Sequence, residues 1–215
     1  MGSTRLPGKV LKPIGRDLLL GHILSRLQEL HHPARVVVAT TTRPGDAAIA
    51  AYCDLRGVVC FRGSEDDVLE RFWQCAKQFD LDPIVRLTGD NPFPDIGELD
   101  RLIALHLTSG AQYTNSFRTL PVGVGAEIFS FYALERSHLE ARASNQREHV
   151  NEFVLDNPLL FVTRELVVTG RKARPDIRLT VDTEEDYRKA CRIAQEASSE
   201  PVSTEEAIQL CMRFA

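Results

Sequence analysis

The sequence predicts an α/β fold in which a doubly wound, parallel sheet is covered by helices on both faces. Short apolar runs rich in β-branched residues alternate along the chain with amphipathic stretches. Uninterrupted apolar strands are typical of parallel sheets, because both faces of such strands are buried. Alternation of strands and helices indicates the doubly wound arrangement. With 215 residues, the chain has the length of one ordinary domain.

The strands are predicted from apolar runs. These runs cover residues 36–40, 58–61, 83–88 and 177–181. Between residues 113 and 132 we expect a strand pair or a long loop inserted into the main sheet. Gly123 and Gly125 in this segment indicate turn geometry, since glycine adopts backbone conformations that other residues avoid.

The helices are predicted from apolar residues that recur three or four positions apart. Leu19, Ile23 and Leu27 share one such face, and Val68 and Phe72 belong to another. Further helices are predicted over residues 95–107, 148–156, 183–197 and 204–214. The third of these begins with several acidic residues, which the dipole at a helix N-terminus favours.

Composition excludes several classes of protein. A net charge of −4 argues against a general nucleic-acid binder, which would carry a basic face. The five cysteines are scattered, odd in number and free of any C-x-x-C pair, which predicts free thiols rather than a zinc site or disulfides. No apolar run is long enough for a membrane span, and no signal peptide is evident. We therefore expect a cytoplasmic protein that binds neither nucleic acid nor membrane.

Residues 2–9 read Gly-Ser-Thr-Arg-Leu-Pro-Gly-Lys and form what we call the basic loop. Glycine lets a backbone approach an anion closely, successive N–H groups form an anion-binding concavity, and the two cations neutralise charge. Five residues separate Gly2 from Gly8 and Val10 follows Lys9, so this is not a Walker A motif. The pattern favours polyphosphate binding, and a solvated basic terminus is the alternative.

Two aspartates follow predicted strands. Asp90 comes after the 83–88 strand and behind Gly89, and Asp182 comes directly after the 177–181 strand. Mg²⁺ takes one or two protein carboxylates together with phosphate oxygens and waters, so the pair could share one ion. A turn residue and a helix N-cap are the alternatives for the two positions. Together with the basic loop, the aspartates predict a Mg–polyphosphate site.

Several segments of the chain, in this order, resemble the sugar-acid cytidylyltransferases. That family includes the acylneuraminate and 3-deoxy-manno-octulosonate cytidylyltransferases, and the resemblance is greatest to its SpsF-type spore-coat polysaccharide branch. The segments are residues 1–11, 38–42, 61–71, 85–92, 147–150 and 178–183.

The resemblance implies both a fold and an activity. The fold is the Rossmann-like nucleotide-diphospho-sugar transferase fold, which is GT-A-like and has a mixed sheet, with residues 1–215 forming one nucleotidyltransferase domain. The activity is Mg²⁺-dependent transfer of CMP from CTP to a sugar acid, with release of pyrophosphate, in surface polysaccharide or glycan biosynthesis. CTP, a sugar acid and a second copy of the chain in a homodimer are the implied partners.

The resemblance also implies roles for individual residues. The implied nucleotide-binding residues are Gly2, Ser3, Arg5, Lys9, Gly63, Ser64 and Gly89, with Arg5 and Lys9 also catalytic. The implied metal ligands are Asp90 and Asp182. The implied acceptor-binding residues are Glu127, Arg147 and His149.

Two departures from the family pattern shape what we expect. A nucleotide-binding α/β fold usually enters its phosphate loop from a buried strand, and no apolar run precedes the basic loop. We therefore expect the sheet to lack its first strand, which would lie between the 36–40 and 83–88 strands. Gly125 and Ala126 stand where related sequences usually carry an acidic residue before Glu127, which predicts a different acceptor.

Two alternative functions remain open. One is another sugar nucleotidyltransferase or a GT-A-like glycosyltransferase, although the cations of the basic loop favour a nucleoside triphosphate over an already activated sugar. The other is a truncated, catalytically inactive homologue that serves as a binding subunit.

Overall fold

The computed structural model describes residues 2–214, and Met1 and Ala215 lie outside the described residues. The first half contains β1 (Pro13–Ile14), β2 (Asp17–Leu18), α1 (Leu19–Leu27), β3 (Val37–Thr41), α2 (Ala47–Arg56), β4 (Val59–Gly63), α3 (Val68–Phe79), β5 (Ile84–Arg86) and α4 (Ile96–Ser109). The second half contains β6 (Tyr113–Asn115), β7 (Glu127–Phe129), α5 (Phe131–Glu140), α6 (Ser144–Glu148), α7 (Glu152–Asp156), β8 (Thr163–Glu165), α8 (Glu184–Glu196) and α9 (Thr204–Phe214). Within residues 2–214, no helix is both long and apolar enough to cross a membrane.

The strands form a mixed arrangement. β3 and β4 pair in parallel, while a four-stranded sheet has the order β5-β7-β6-β8. In that sheet β7 runs antiparallel to both of its neighbours, and β6 and β8 are parallel. The α/β class and the mixed sheet are confirmed. The all-parallel arrangement predicted from apolar runs is wrong, because hydropathy reports burial of a strand's faces and carries no information about the direction of its partner.

An open groove separates β3 from β5. One cavity of about 370 Å³ is lined by Val38 and Thr40 of the first strand and by Val85 and Leu87 of the second segment. A cavity of about 380 Å³ continues it toward the amino ends of the same strands, where Ile84 is among the lining residues. Among the described residues no strand lies between β3 and β5, which confirms the prediction of a sheet open at this position.

Two predicted elements are replaced by other structures. Residues 148–156 form parts of α6 and α7, because the backbone leaves the helical region at His149, where φ is −105° and ψ is 103°. Residues 177–181 form no regular strand, and a single bridge joins Val122 to Arg178. Their alternating apolar side chains are instead buried in the core cluster that also contains residues of α8 and α9. Alternation correctly indicated an extended, half-buried segment, whose partners are mainly helices.

Segment 113–132 contributes β6 and β7, the two inner strands of the four-stranded sheet. The helix boundaries nearby follow from capping side chains. Asp67 accepts a hydrogen bond from the Glu70 N–H at the start of α3, and Asp95 accepts one from the Glu98 N–H at the start of α4. Each cap satisfies a backbone donor that the helix itself leaves unpaired.

The start of α8 fixes the segment that carries Asp182. Thr183 and Asp186 form a capping box, in which Thr183 Oγ1 accepts from the Asp186 N–H and Asp186 accepts from the Thr183 N–H. Asp186 also accepts from the Asp182 N–H at 3.1 Å. The backbone of Asp182 is therefore tied to the first turn of the helix, and its side chain is free to make other contacts.

Gly123 lies where the loop before β7 crosses the extended 177–181 segment. Its φ is +92°, and a Cβ atom built on it would lie 2.6 Å from Thr180 N. Gly170 also has a positive φ, of +78°, but a Cβ atom there would meet nothing within 4 Å. A side chain at either glycine would strain the backbone, but only a side chain at Gly123 would also collide with neighbouring atoms. Comparing the two positions therefore separates the two costs.

We predict that Gly123→Ala destabilises the protein more than the matched change Gly170→Ala. Both variants incur the cost of a left-handed alanine, about 1–2 kcal/mol. Only the Gly123 variant adds a clash, which typically costs about 1–3 kcal/mol more. Urea unfolding of the two variants measures the difference. Equal losses of free energy of unfolding would show that the 177–181 segment can move away from the new methyl group with no loss of stability.

Candidate active site

Three chain segments meet beyond the carboxyl end of β5. They are the basic loop, the turn that follows β5, and the extended segment before α8. The Val181 N–H donates to the Asp90 carbonyl at 2.8 Å, which holds the last two segments side by side. A Cβ atom built on Gly89 would lie 3.3 Å from Val10 Cγ1, so this glycine permits a close approach of the first segment. The backbone thereby brings the side chains of Asp90 and Asp182 close enough to contact the same cationic side chain.

That cation is the ammonium group of Lys9. Its Nζ lies 2.9 Å from Asp90 Oδ2, 2.9 Å from Asp182 Oδ1 and 2.9 Å from the Val181 carbonyl oxygen. The Lys9 side chain is only 13% exposed. Gly8, with φ of +70°, precedes the short 3-10 turn that carries the lysine. The structure thus brings together three of the residues predicted from the sequence.

Asp182 has two further cationic neighbours. Arg5 lies 3.3 Å from its Oδ1, and Arg178 forms an ion pair with its Oδ2. Burial alone would raise the pKa of Asp182, but the hydrogen bond from Lys9 and the charges of Lys9, Arg5 and Arg178 lower that pKa below its usual value. The carboxylate is therefore charged at neutral pH. Arg5 has a side chain 64% exposed, so it can also reach a ligand.

The aspartate pair fits a magnesium ion. Carboxylate oxygens are the hard ligands that this ion prefers, and one or two of them suffice when phosphate oxygens and waters complete the coordination. Two carboxylate oxygens already converge on one positive charge. Among residues 2–214 there is no larger group of three or more His, Cys, Asp or Glu side chains that could hold a metal. Asp90 and Asp182 could hold the ion only together with a ligand that supplies further oxygens.

The remaining residues of the basic loop shape its backbone. Ser3 Oγ accepts a hydrogen bond from the Leu6 N–H at 3.2 Å. Leu6 is buried in the core cluster of residues 177–181, α8 and α9. A Cβ atom on Gly2 would lie 3.1 Å from Glu65 Oε1, so the start of the loop lies beside the turn after β4. Ser3 therefore stabilises the turn, and Leu6 anchors it.

Gly63 and Ser64 lie at the carboxyl end of β4. A Cβ atom on Gly63 would lie 2.9 Å from the side chains of Arg71 and Phe61, so only glycine fits there without rearrangement. Ser64 Oγ accepts from the Asp67 N–H at 3.1 Å, which forms the turn into α3. The next residue, Glu65, lies beside Gly2, so both residues are close to the start of the basic loop.

The three predicted acceptor residues lie in different environments. Glu127 is fully buried on β7, where Tyr113 donates a hydrogen bond at 2.7 Å and Arg86 forms an ion pair. Arg147 donates from Nε to Asp67 at 2.7 Å and from Nη1 to the His138 carbonyl. His149 is exposed.

Within residues 2–214, no hydrogen bond or ion pair joins Glu127, Arg147 and His149 to one another. Tyr113 and Arg86 orient Glu127, while Asp67 and the His138 carbonyl orient Arg147. The structure thus leaves the predicted acceptor set as separate groups, unlike the aspartate pair.

Comparison with known proteins decides the family. The family model described as "Cytidylyltransferase" matches residues 1–208. This chain belongs to the cytidylyltransferase family. Members of the family are nucleotidyltransferase enzymes, and the architecture is the Rossmann-like fold of nucleotide-sugar transferases.

Individual relatives of this cytidylyltransferase agree. The Bacillus subtilis "Spore coat polysaccharide biosynthesis protein SpsF" is 37% identical over 219 residues, covering 99% of this chain and 91% of that protein. A solved cytidylyltransferase from Leptospira borgpetersenii has a TM-score of 0.91 and 34% identity, covering 100% of this chain and 91% of that one. The solved CMP:2-keto-3-deoxy-manno-octonic acid synthetase complexed with CTP shares the fold, with a TM-score of 0.65 and 20% identity over 91% of this chain and 95% of that one.

The structure of this cytidylyltransferase adds residues that the sequence analysis missed. Arg178 contacts Asp182, and the two lie four positions apart in an extended segment, so their side chains share a face. That alternation was a usable signal. Arg86 meets Glu127 because the two residues are paired across β5 and β7. No local signal could have found this pair, since the register joins strands that are distant in sequence.

We predict that Asp182 stabilises this cytidylyltransferase at neutral pH and loses that effect in acid. Its pKa is lower in the folded state than in the unfolded chain, so its contribution is complete above about pH 4 and disappears as pH falls through the folded-state value. Thermal unfolding of wild type and Asp182→Asn between pH 7 and pH 3 should give curves that converge toward pH 3. The exposed Asp66→Asn variant is the control. A constant difference across that range would show that the cationic neighbours of Asp182 do not favour its ionised form.

Proposed function

We propose that this chain is a Mg²⁺-dependent cytidylyltransferase that transfers CMP from CTP to a sugar acid in surface polysaccharide or glycan biosynthesis. The observation that carries the proposal is the convergence of Lys9, Asp90 and Asp182 beside a glycine-containing basic loop. That arrangement combines a cation for phosphate with carboxylates for a divalent ion. Family membership supports the choice of nucleotide, and the likeness to proteins named for activation of a sugar acid supports the acceptor. The likeness to a spore coat polysaccharide biosynthesis protein supports the place in polysaccharide synthesis.

The proposed reaction is an in-line displacement at phosphorus. A hydroxyl oxygen of the sugar acid forms a bond to the α-phosphorus of CTP and releases its proton to solvent, while the bond from that phosphorus to the bridging oxygen breaks and pyrophosphate leaves. Arg5 and Lys9 would bind the phosphate oxygens and offset the negative charge that grows on the leaving group. A magnesium ion held by Asp90 and Asp182 would supply a further positive charge to the phosphates.

The other predicted residues complete the proposed site. Gly2, Ser3 and Gly89 would let the backbone approach the triphosphate, while Gly63 and Ser64 would lie near the base or ribose. The placement of Gly63 and Ser64 near the nucleotide is supported by the position of the turn after β4, which lies beside the start of the basic loop at Glu65.

For the acceptor, Arg147 and His149 would attract a carboxylate. Glu127 is fully buried, so we propose that it acts by holding Arg86, whose side chain remains partly exposed. A cytoplasmic homodimer completes the proposal, and the free state of all five cysteines supports the location.

We predict that CTP binds in preference to ATP, GTP and UTP, and binds well only with Mg²⁺. The charge of the triphosphate is shared by all four nucleotides, so the preference must come from the base-side loop near Ser64. Calorimetric titration of each nucleotide with and without Mg²⁺ measures both effects. Equal affinity for all four bases would contradict the cytidylyl assignment and favour another sugar nucleotidyltransferase.

We predict that Asp90→Asn and Asp182→Asn each remove most turnover and leave the protein folded. Each change keeps the size of the side chain and removes a charged ligand, and loss of one such electrostatic contact typically lowers the rate about 10²–10³-fold. Pyrophosphate release from CTP in the presence of a sugar acid measures the effect. Asp176→Asn is the control, since Asp176 is exposed and pairs with Arg174. Turnover near the wild-type rate in the two variants would exclude the metal role.

The open groove between β3 and β5 favours one second candidate, a homologue that binds nucleotide without turning it over. In that case CTP would bind in the calorimetric titration and no sugar acid would release pyrophosphate. The same two assays therefore separate the enzyme from a binding subunit.

A further inference from the structure

The ammonium group of Lys9 occupies the point toward which Asp90 and Asp182 both direct an oxygen. We propose that Lys9 is an internal cation that holds this carboxylate pair in place before substrates bind, and that it excludes a divalent ion until a nucleoside triphosphate draws its side chain away. Metal and nucleotide would then enter the site together. This inference rests on the proposed function, because it concerns the order in which that function's ligands bind.

The hydrogen bonds of Lys9 are complete. An ammonium group has three donors, and Lys9 Nζ has three acceptors at 2.9 Å, namely Asp90 Oδ2, Asp182 Oδ1 and the Val181 carbonyl oxygen. The other oxygen of Asp182, Oδ2, is already paired with Arg178. A magnesium ion held at the point where the two carboxylates converge would therefore need Asp90 Oδ2 and Asp182 Oδ1 at about 2.0–2.1 Å. Two cations cannot share this space, because they would lie within bonding distance of the same two atoms and repel each other. Binding of the ion therefore requires Lys9 to leave.

The charges around the pair act in the same direction. Asp182 also contacts Arg5 and Arg178, and Arg178 lies 3.6 Å from Asp186 as well, so three cationic side chains balance three carboxylates. A bare divalent ion thus approaches a site that has no net negative charge to attract it. A triphosphate changes this balance, since it brings several negative charges and offers new acceptors to Lys9. The two ligands should therefore favour each other's binding, a coupling that is reciprocal by thermodynamic necessity.

The local backbone allows this exchange without a large rearrangement. Leu6 anchors the basic loop in the core, and Lys9 lies in a short 3-10 turn that begins after Gly8. The four-carbon stem of a lysine can move its ammonium group while the backbone stays in place. Movement of this one side chain frees Asp90 Oδ2 and leaves Asp182 Oδ1 with only the longer contact to the exposed Arg5, at 3.3 Å.

The test measures binding of Mn²⁺ alone, as a probe for the divalent ion, by electron paramagnetic resonance of the free ion. We expect Lys9→Met to bind Mn²⁺ roughly tenfold or more tightly than wild type in the absence of nucleotide, because a like charge in direct contact with the site has been removed. Lys12→Met is the matched control. Lys12 ends the same 3-10 turn but pairs with Glu184 at 3.6 Å, so its loss should leave Mn²⁺ affinity unchanged.

A double variant locates the gained site. Adding Asp90→Asn to Lys9→Met should abolish the gain in Mn²⁺ affinity, because it removes one of the two carboxylates. If Lys9→Met fails to fold, as judged by its thermal unfolding, Lys9→Gln replaces it, since its amide can still donate to one carboxylate. The wild type provides a measurement free of substitution. In the presence of CTP, the protein should bind Mn²⁺ more tightly than it does alone, and more tightly than free CTP binds the ion.

The inference is overturned if the Lys9 variant binds Mn²⁺ no better than wild type, or if Lys12→Met shows the same gain. Those outcomes do not contradict the proposed function if the wild-type protein still releases pyrophosphate from CTP. Conversely, a gain in Mn²⁺ affinity that depends on Asp90, in a protein that never releases pyrophosphate, would support the inference and refute the proposed function.

Discussion

The bridge that Lys9 makes between Asp90 and Asp182 is the interaction on which the candidate site depends. Lys9 lies 81 positions from Asp90 and 173 positions from Asp182 in the chain. Carboxylates at such short separation repel each other unless a cation lies between them. A cation is therefore required in every state of this site, and before substrates bind the lysine provides it. The residue that contacts phosphate in the proposed reaction is thus also the residue that assembles the site.

The surrounding fold holds the ends of this bridge with independent restraints. Leu6 fixes the basic loop in the core, the Val181–Asp90 backbone hydrogen bond fixes the two aspartate segments, and the capping box at the start of α8 fixes the backbone of Asp182. None of these restraints uses the charged groups themselves. The side chains of Lys9, Asp90 and Asp182 can therefore exchange partners while the backbone keeps its position, which is what a site for a metal and a triphosphate needs.

The sequence predicted more of the site than of the sheet. The aspartates follow apolar segments, and the loop has an unusual pattern of glycine and cations, so both are recognisable from local signals. The direction of β7 and the partners of residues 177–181 are set by contacts between distant segments, which periodicity does not report. The same reason explains why Arg86 was missed although Glu127, its partner in the sheet, was expected in the site. Arg178 is different, since alternation along the extended segment is a local signal that places it on the same face as Asp182.

The groove between β3 and β5 bears directly on the site, because its wall continues into the turn that carries Asp90. Thr88 and Gly89 line the same cavity as Val38 and Thr40. Asp90 itself is held by Val181 and Lys9, while Thr88 and Gly89, which precede it in the same turn, line the open space. In a close-packed protein such a space removes contacts that would otherwise restrain its lining. The Val181 hydrogen bond and the ion pair with Lys9 therefore restrain Asp90 on the side away from the groove, and they keep it beside Asp182 until ligands arrive.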